Sequence, residues 1–278
     1  MSWQAIARKD FQDALRSRWL VALTTLLVLL VSAAVYVVRP AAGQTVSSNA
    51  VVNYFLIKDG LVTTLIPLIA LVMAYAAVVG ERESGSLKLL LSLPHSRSDV
   101  VLGKVLGRAA AIAAPVFVGF LLPGLILLLV PGVTFQPGYY LGYTLLTVFL
   151  ATVFVAIAVG FSAAVPSQRF AIGGAIGIYF LFVPLWGAVQ FPLRLYLQFG
   201  GGPSWLPVAG GDILQFLRLL NPVGSFKIVI NSFMAGSLFA SGQNVPSPRL
   251  QIAALSMLVA WLLVPPLVGL WQFENTDL

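Results

Sequence analysis

Six long apolar runs, none containing Asp, Glu, Lys, Arg or His, constrain this 278-residue chain more than any other feature. They cover residues 19–38, 61–79, 109–130, 139–165, 170–191 and 250–271. Each is close to or above the roughly 20 residues that cross the hydrocarbon core of a bilayer as a helix. Only 9% of the residues are charged, against about 25% in an average soluble domain. The sequence therefore predicts an all-α integral membrane protein with six transmembrane helices.

Two boundaries of these runs have alternative interpretations. The fourth and fifth runs are separated only by Pro-Ser-Gln-Arg at residues 166–169, and merging them would bury some 50 residues in one helix, about twice the usual span length. The first run follows a basic head and could be a cleaved signal peptide. Its 20 residues exceed the roughly 7–15 of a signal peptide, and it ends at Arg39-Pro40 without a cleavage site. We therefore interpret it as a membrane anchor.

The distribution of basic residues predicts the orientation. With the N-terminus inside, an even number of spans places both termini in the cytoplasm, and the inner segments then hold ten Lys and Arg residues against six outside. The inner residues are Arg8, Lys9, Arg16, Arg18, Arg82, Lys88, Arg97, Lys104, Arg108 and Arg169; the outer residues are Arg39, Lys58, Arg194, Arg218, Lys227 and Arg249. Lys and Arg favour the cytoplasmic side of a membrane. The net charge of +7 is thereby assigned to lipid contact and orientation, not to nucleic acid.

The outer segment, residues 192–249, is too polar to span the membrane and too apolar for a soluble domain. Asp212 could cap a short helix, which Asn221-Pro222 would end. Its apolar side would carry Ile213, Phe216, Leu217 and Leu220. We expect one or two helices in the outer interface, acting either as a lid over an exit or as an amphipathic connector.

Several kinds of chemistry have no residues to support them. The spans lack the ionisable residue that ion-coupled carriers usually hold at mid-membrane. His95 is the only histidine and cysteine is absent, so we predict no metal, no cofactor and no catalytic residue. Gly103-Lys104 lacks the earlier glycine and the following Ser or Thr of a phosphate-binding loop. Energy for any active process must come from a partner.

Charge is concentrated in residues 80–108. A helix over 81–91 would place Leu87, Leu90 and Leu91 against the bundle and polar residues toward the cytosol. Pro94 would end it, and Ser98-Asp99 could cap the next helix, which continues through Gly103-Lys104 into the third run. A surface helix joined in this way to a span is suited to transmit the motion of a docked partner.

This stretch resembles the coupling region of type-2 ABC transporter permeases. The family pattern is E-x-x-x-G-[S/T]-L, then L-L-S-x-P, [S/T]-R and G-K. The matching residues are Glu81, Gly85, Ser86, Leu87, Leu90, Leu91, Ser92, Pro94, Arg97, Gly103 and Lys104. The head IARKDFQDALRSRW, residues 6–19, is similar to the amphipathic elbow helix that precedes the first span in the family. Asn-Pro-Val-Gly-Ser-Phe-Lys at 221–227 and the C-terminal tail resemble the branch that includes permeases for nitrous oxide reductase maturation.

The resemblance implies one permease domain over residues 1–278 in the plasma membrane of a prokaryote. Two such subunits, expected to be a homodimer, would form a pathway, and two ATP-binding subunits would dock on the coupling regions, usually for export. The matched residues, apart from Ser92, would couple ATP hydrolysis to transport. The resemblance does not identify the transported substrate. The competing interpretations are a membrane scaffold that recruits a cytosolic partner, and a channel or secondary carrier.

Overall fold

The structure is a computed structural model that describes residues 3–37, 40, 43–52, 60–93, 95–200, 210–236, 238–239 and 245–275. Its helices are α1 (Trp3–Leu15), α2 (Arg18–Val37), α3 (Ser48–Val51), α4 (Leu61–Ala74), α5 (Val79–Glu83), α6 (Ser86–Ser92), α7 (Arg97–Leu129), α8 (Pro137–Ala164), α9 (Gln168–Phe182), α10 (Trp186–Gly200), α11 (Gly210–Leu220), α12 (Pro222–Met234) and α13 (Pro248–Glu274). Two short strands, β1 (Val46–Ser47) and β2 (Val133–Thr134), pair in parallel.

The all-α prediction is confirmed, and the number of candidate spans lies between four and seven. Four helical stretches are long and apolar enough to cross a membrane, and three further bent pairs qualify if each counts as one span. The bent pairs are α1 with α2, α9 with α10, and α11 with α12. The predicted number of six falls within this range.

Helix α8 forms the centre of the bundle and packs against α4, α7, α12 and α13. Most of its residues are buried. Its contact with α13 depends on glycine, since a Cβ at Gly160 would lie 2.3 Å from the carbonyl oxygen of Pro265, and a Cβ at Gly269 would lie 2.1 Å from that of Gly160. The two backbones therefore approach more closely than any larger residue would permit.

Polar caps set where several helices begin. Ser96, not the predicted Ser98, caps α7: its hydroxyl accepts from the Asp99 N–H at 3.1 Å, and the Asp99 carboxylate accepts from the Ser96 N–H at 3.1 Å. This reciprocal capping box satisfies two N–H groups of the first turn. The predicted continuation of α7 through Gly103-Lys104 into the third apolar run is confirmed.

The fifth apolar run is broken. Helices α9 and α10 meet at 42° around Val183 and Pro184, because proline cannot donate the next helical hydrogen bond.

The outer segment differs from the prediction of helices lying in the membrane interface. Helix α11 ends at Asn221-Pro222 as predicted, but α12 then packs into the bundle against α8 and α13, with most of its residues buried. The Asn221 side chain makes this bend possible, since it accepts from the Val223 N–H at 2.8 Å and donates to the Phe182 carbonyl at 2.8 Å. The two helices meet at 99°, and we call this unit the α11–α12 hairpin.

Candidate functional site

The coupling region is two short helices, not the single helix predicted over residues 81–91. Helix α5 ends at Glu83 and α6 begins at Ser86, because Gly85 has a φ of +75°, a left-handed conformation that glycine adopts without strain. The predicted leucine stripe is correct: Leu87 is fully buried, and Leu90 and Leu91 pack against the core. Pro94 lies outside the described residues.

Helix α1 packs tightly on the N-terminal part of α7. A Cβ at Gly103 would lie 2.8 Å from the Ile6 side chain, and a Cβ at Gly107 would lie 2.7 Å from the Ala7 carbonyl oxygen. These two glycines, four residues apart, lie on one face of α7 and let the backbones of α1 and α7 come together. The matched residue Gly103 is therefore a packing contact with α1.

Five charged side chains meet beside this contact. Lys104, whose side chain is only 2% exposed, lies 3.0 Å from Glu81 and 3.5 Å from Asp10. Arg108 donates from Nε to Asp10 at 2.6 Å and from a terminal nitrogen to the Met73 carbonyl at 2.8 Å. Lys9 lies 3.4 Å from Glu81. We call Lys9, Asp10, Glu81, Lys104 and Arg108 the inner charge cluster.

The inner charge cluster joins four helices. Asp10 belongs to α1, Glu81 to α5, and Lys104 and Arg108 to α7, while the Met73 carbonyl belongs to α4. Burying such charges is tolerable only where they are paired and hydrogen-bonded. Glu81 and Lys104, which match the family pattern, thus bind to groups within the chain, where the sequence had suggested that Glu81 faces the cytosol.

A second set of contacts holds the coupling region to the end of the last span. The guanidinium carbon atoms of Arg82 and Arg97 lie 5.2 and 5.0 Å from the centre of the Phe273 ring, a cation–π arrangement. Arg97 also donates to the carbonyls of Phe273 and Glu274, the latter at 3.0 Å. Cations at this position complement the negative end of the α13 dipole.

The junction between α8 and α9 is held by the same segment. Arg82 donates to the carbonyls of Ala163 and Val165 at 3.2 and 3.0 Å, at the end of α8. Glu83 accepts from the Gln168 N–H at 2.9 Å, at the start of α9. The basic residue therefore lies at a helix C-terminus and the acidic residue at a helix N-terminus, which is the favourable arrangement at each end.

One face of the coupling region makes none of these contacts. Leu89 is 72% exposed and Leu93 is 54% exposed, and the residue before each of them, Lys88 and Ser92, is exposed as well. We call Lys88, Leu89, Ser92 and Leu93 the outward face of α6. Leucines this exposed at a charged end of the bundle are typical of a surface that a partner covers.

The sequence did not predict three residues that form contacts at this end of the bundle, Asp10, Gly107 and Phe273. A signal for Asp10 was present, because Ile6, Asp10 and Ala14 recur every four residues and share the buried face of α1. An acid on the apolar face of a helix indicates a buried partner. Among the described residues, no group of three His, Cys, Asp or Glu side chains is placed to hold a metal.

The described fold and its charged end define a multi-pass, all-α membrane protein. The sequence profile described as ABC-2 family transporter protein matches residues 4–278. The chain is 34% identical over 279 residues to the "Probable ABC transporter permease protein NosY" of Stutzerimonas stutzeri, an alignment that covers 97% of both chains. It is 36% identical over 248 residues to the protein of the same name from Pseudomonas aeruginosa, covering 87% of this chain and 85% of the relative.

The chain therefore belongs to the ABC-2 family. It is a membrane permease subunit of an ABC transporter, a transport subunit and not an enzyme. Permeases of this family work with an ATP-binding subunit. Family membership thus favours the permease over the scaffold and over the channel or secondary carrier.

Proposed function

We propose that this chain is the membrane subunit of an ATP-driven exporter in the plasma membrane of a prokaryote. In this proposal two copies form the pathway, and two separate ATP-binding subunits drive it from the cytoplasm. The family membership supports the permease role. The absence of a phosphate-binding loop from the full sequence supports a separate motor. The names of the relatives further suggest a role like that of NosY permeases.

We propose six spans, formed by α2, α4, α7, α8, the α9–α10 pair and α13. The α11–α12 hairpin is not a span in this proposal, because its bend lies beside Trp261, the central residue of α13: the Trp261 indole donates to the Leu220 carbonyl at 2.9 Å. The far end of α12 packs against Tyr139, near the first turn of α8, where the Phe233 and Tyr139 ring centres are 5.6 Å apart. The hairpin thus enters from the outer side and turns back.

The orientation follows from where the charges lie. The inner charge cluster and the contacts of Arg82 and Arg97 all surround one end of the bundle, and a basic end favours the cytoplasm. Helix α1 and the C-terminal end of α13 belong to that end, so we propose that both termini are cytoplasmic. Helix α1, amphipathic and docked on α7, acts in this proposal as the elbow helix.

The observation that carries the docking proposal is the outward face of α6. The matched residues Glu81, Leu87, Gly103 and Lys104 hold α5, α6 and α7 to α1 and the core, so that the segment can move as one body. Gly85, Ser86, Leu90, Leu91, Pro94 and Arg97 complete the proposed coupling region. The exposed leucines then make the contact with the ATP-binding subunit, since buried apolar area supplies most of the free energy of such contacts.

Helix α9 offers a surface for the second copy of the chain. Phe170, Ile176 and Phe180 are 65%, 54% and 49% exposed, and Gly173 and Gly177 have no atom within 4 Å of the position that a Cβ would take. Small residues at this spacing let helices of two subunits approach closely within a membrane. The symmetric pairing of this face would give the homodimer.

The docking proposal is tested with Leu89→Asp and Leu93→Asp, singly and together. We expect the chain to insert normally and to lose co-purification with its ATP-binding subunit, because an acid replaces an apolar contact. The matched control is Leu129→Asp, since Leu129 is 82% exposed but lies at the opposite end of α7. Normal co-purification of the Leu89→Asp/Leu93→Asp chain would refute the assignment of this face.

A further inference from the structure

Helix α12 is covered by the bundle on every side but one. Its uncovered positions in the first three turns are Gly224, Lys227 and Asn231, which are spaced by three and four residues and therefore share a face. The residues between them, among them Phe226, Ile228 and Ile230, are fully or almost fully buried. The two largest polar side chains of α12, those of Lys227 and Asn231, thus lie on its least covered face.

In the proposed six-span arrangement this face begins near the middle of the membrane and runs outward from it. The hairpin bend is fixed beside Trp261, at the midpoint of α13, and beside Phe182, at the break between α9 and α10. Lys227 is six residues beyond Asn221, so it lies only about 9 Å along the helix from the bend. The six apolar runs contain no charge, so a cation at this depth is an exception in the chain.

Arg218 brings a second positive charge to the same face. A Cβ on Gly224 would lie 2.2 Å from the Arg218 carbonyl oxygen and 3.3 Å from the Arg218 Cγ, so Arg218 lies against α12 at Gly224, one turn before Lys227. Within the part of the chain that the structure describes, no carboxylate forms a salt bridge with Arg218 or Lys227. Asp212 is six residues before Arg218 on α11, on a different side of that helix.

Among the described residues neither cation has a carboxylate partner. Because charge in hydrocarbon is costly, such a face favours a water-filled cavity on the transport pathway over a lipid-facing position. The N-terminus of α12 adds the positive end of its helix dipole at the same depth.

We propose that Arg218 and Lys227 line the transport pathway and bind the transported solute, which carries at least one negative charge. Asn231 lies one turn further out on the same wall and is available for a hydrogen bond. This inference rests on the proposed permease function and adds the chemical class of the cargo.

The test uses a reporter cysteine on the open face, which is feasible because the chain contains no cysteine. Asn231→Cys is reconstituted with the ATP-binding subunit in phosphatidylcholine nanodiscs. Its reaction rates with anionic sulfonatoethyl and cationic trimethylammonioethyl methanethiosulfonate are each divided by the rate with free cysteine. We expect the normalised rate of the anionic reagent to be about tenfold higher, because two nearby positive charges attract it and repel the cation.

Matched variants assign that preference to the proposed residues. Adding Lys227→Gln to Asn231→Cys should reduce the ratio of the normalised anionic rate to the cationic rate to about threefold. Adding Arg249→Gln, which removes an equal charge from the start of α13, should leave that ratio at about tenfold. A cysteine at Ser232, which is fully buried, should not react. Co-purification with the ATP-binding subunit, measured on the same samples, tests the permease proposal separately.

Three results would overturn the proposal. The first is a cysteine at 231 that does not react, which would mean that the face is covered. The second is equal normalised rates for the two reagents, which would mean that the wall does not select anions. The third is a tenfold lower reaction rate of the anionic reagent when phosphatidylglycerol replaces phosphatidylcholine. That result would mean that a lipid headgroup binds to Arg218 and Lys227.

Discussion

The attachment of α1 to α7 should depend on a single carboxylate. Asp10→Ala removes the acceptor for the Arg108 Nε at 2.6 Å and one of the two carboxylates beside Lys104, at a site where the Asp10 side chain is 7% exposed. Breaking a fully buried ion pair costs about 3–5 kcal/mol. Lys104 keeps Glu81 at 3.0 Å and Arg108 keeps the Met73 carbonyl at 2.8 Å. We therefore expect a cost of about 2 kcal/mol, which is roughly thirtyfold in the undocked population of α1.

A cysteine at Ile6 reports this undocking directly. Ile6 is 3% exposed and lies against Gly103, so a thiol there reacts with a maleimide only when α1 leaves α7. Since opening is a local equilibrium, the labelling rate follows the open population. Ile6→Cys has its own packing cost, which is shared by every chain in the comparison. Adding Asp10→Ala should raise the labelling rate about thirtyfold.

The control is Asp13→Ala, which removes the same charge from the same helix at an exposed position. It should leave the labelling rate within about twofold, as surface substitutions usually do. Asp10→Asn keeps an acceptor for Arg108 and should fall between the two. If Asp10→Ala and Asp13→Ala label at the same rate, the inner charge cluster does not hold α1, and the argument from buried charge is wrong.

Three further predictions concern the orientation of the chain, the contacts of Phe273 and the source of ATP hydrolysis. Cysteines at Ser84 and Ser92 should react with an impermeant thiol reagent only in inside-out vesicles, and one at Thr134 only in right-side-out vesicles; the reverse pattern would contradict the orientation. Phe273→Leu removes the ring that contacts Arg82 and Arg97 but keeps most of the apolar volume. It should lower the free energy of unfolding by about 1 kcal/mol, and with it the thermal midpoint of the purified chain by a few degrees. An unchanged midpoint would mean that the two guanidinium contacts contribute nothing to stability. The purified chain alone should not hydrolyse ATP, and hydrolysis that persists after every contaminating ATPase is removed would contradict the separate motor.

Much of the fold could be predicted because membrane helices are set by local composition. The apolar runs located the helices, the leucine stripe gave the buried side of α6, and the apolar continuation after Lys104 predicted the length of α7. The break at Gly85 was missed because the helical periodicity of residues 81–91 continues across it. The glycine itself was the available signal, since a left-handed residue commonly ends a helix.

The α11–α12 hairpin could not be predicted in the same way. Its composition is intermediate, and a segment of that kind is stable either in the membrane interface or inside a bundle that satisfies its polar groups. The deciding partners, the Trp261 indole and the Phe182 carbonyl, are distant in sequence. The inner charge cluster has the same origin, because Asp10 and Lys104 are 94 residues apart and only the packing of α1 on α7 brings them together.

Helix α13 connects the coupling region with the α11–α12 hairpin. At its inner end the Phe273 ring contacts both Arg82 and Arg97 of the coupling region, and at its centre Trp261 holds the hairpin bend. Pro265 and Pro266 lie between these two contacts, where the helix lacks two backbone donors and is easiest to bend. Gly160 of α8 packs against the backbone at those prolines, so this part of α13 has little room to slide along α8. A displacement of α5 by a docked ATP-binding subunit would therefore tilt the inner part of α13 about the proline pair. This pivot lies next to the hairpin bend, which has Arg218 of α11 on one side and Lys227 of α12 on the other.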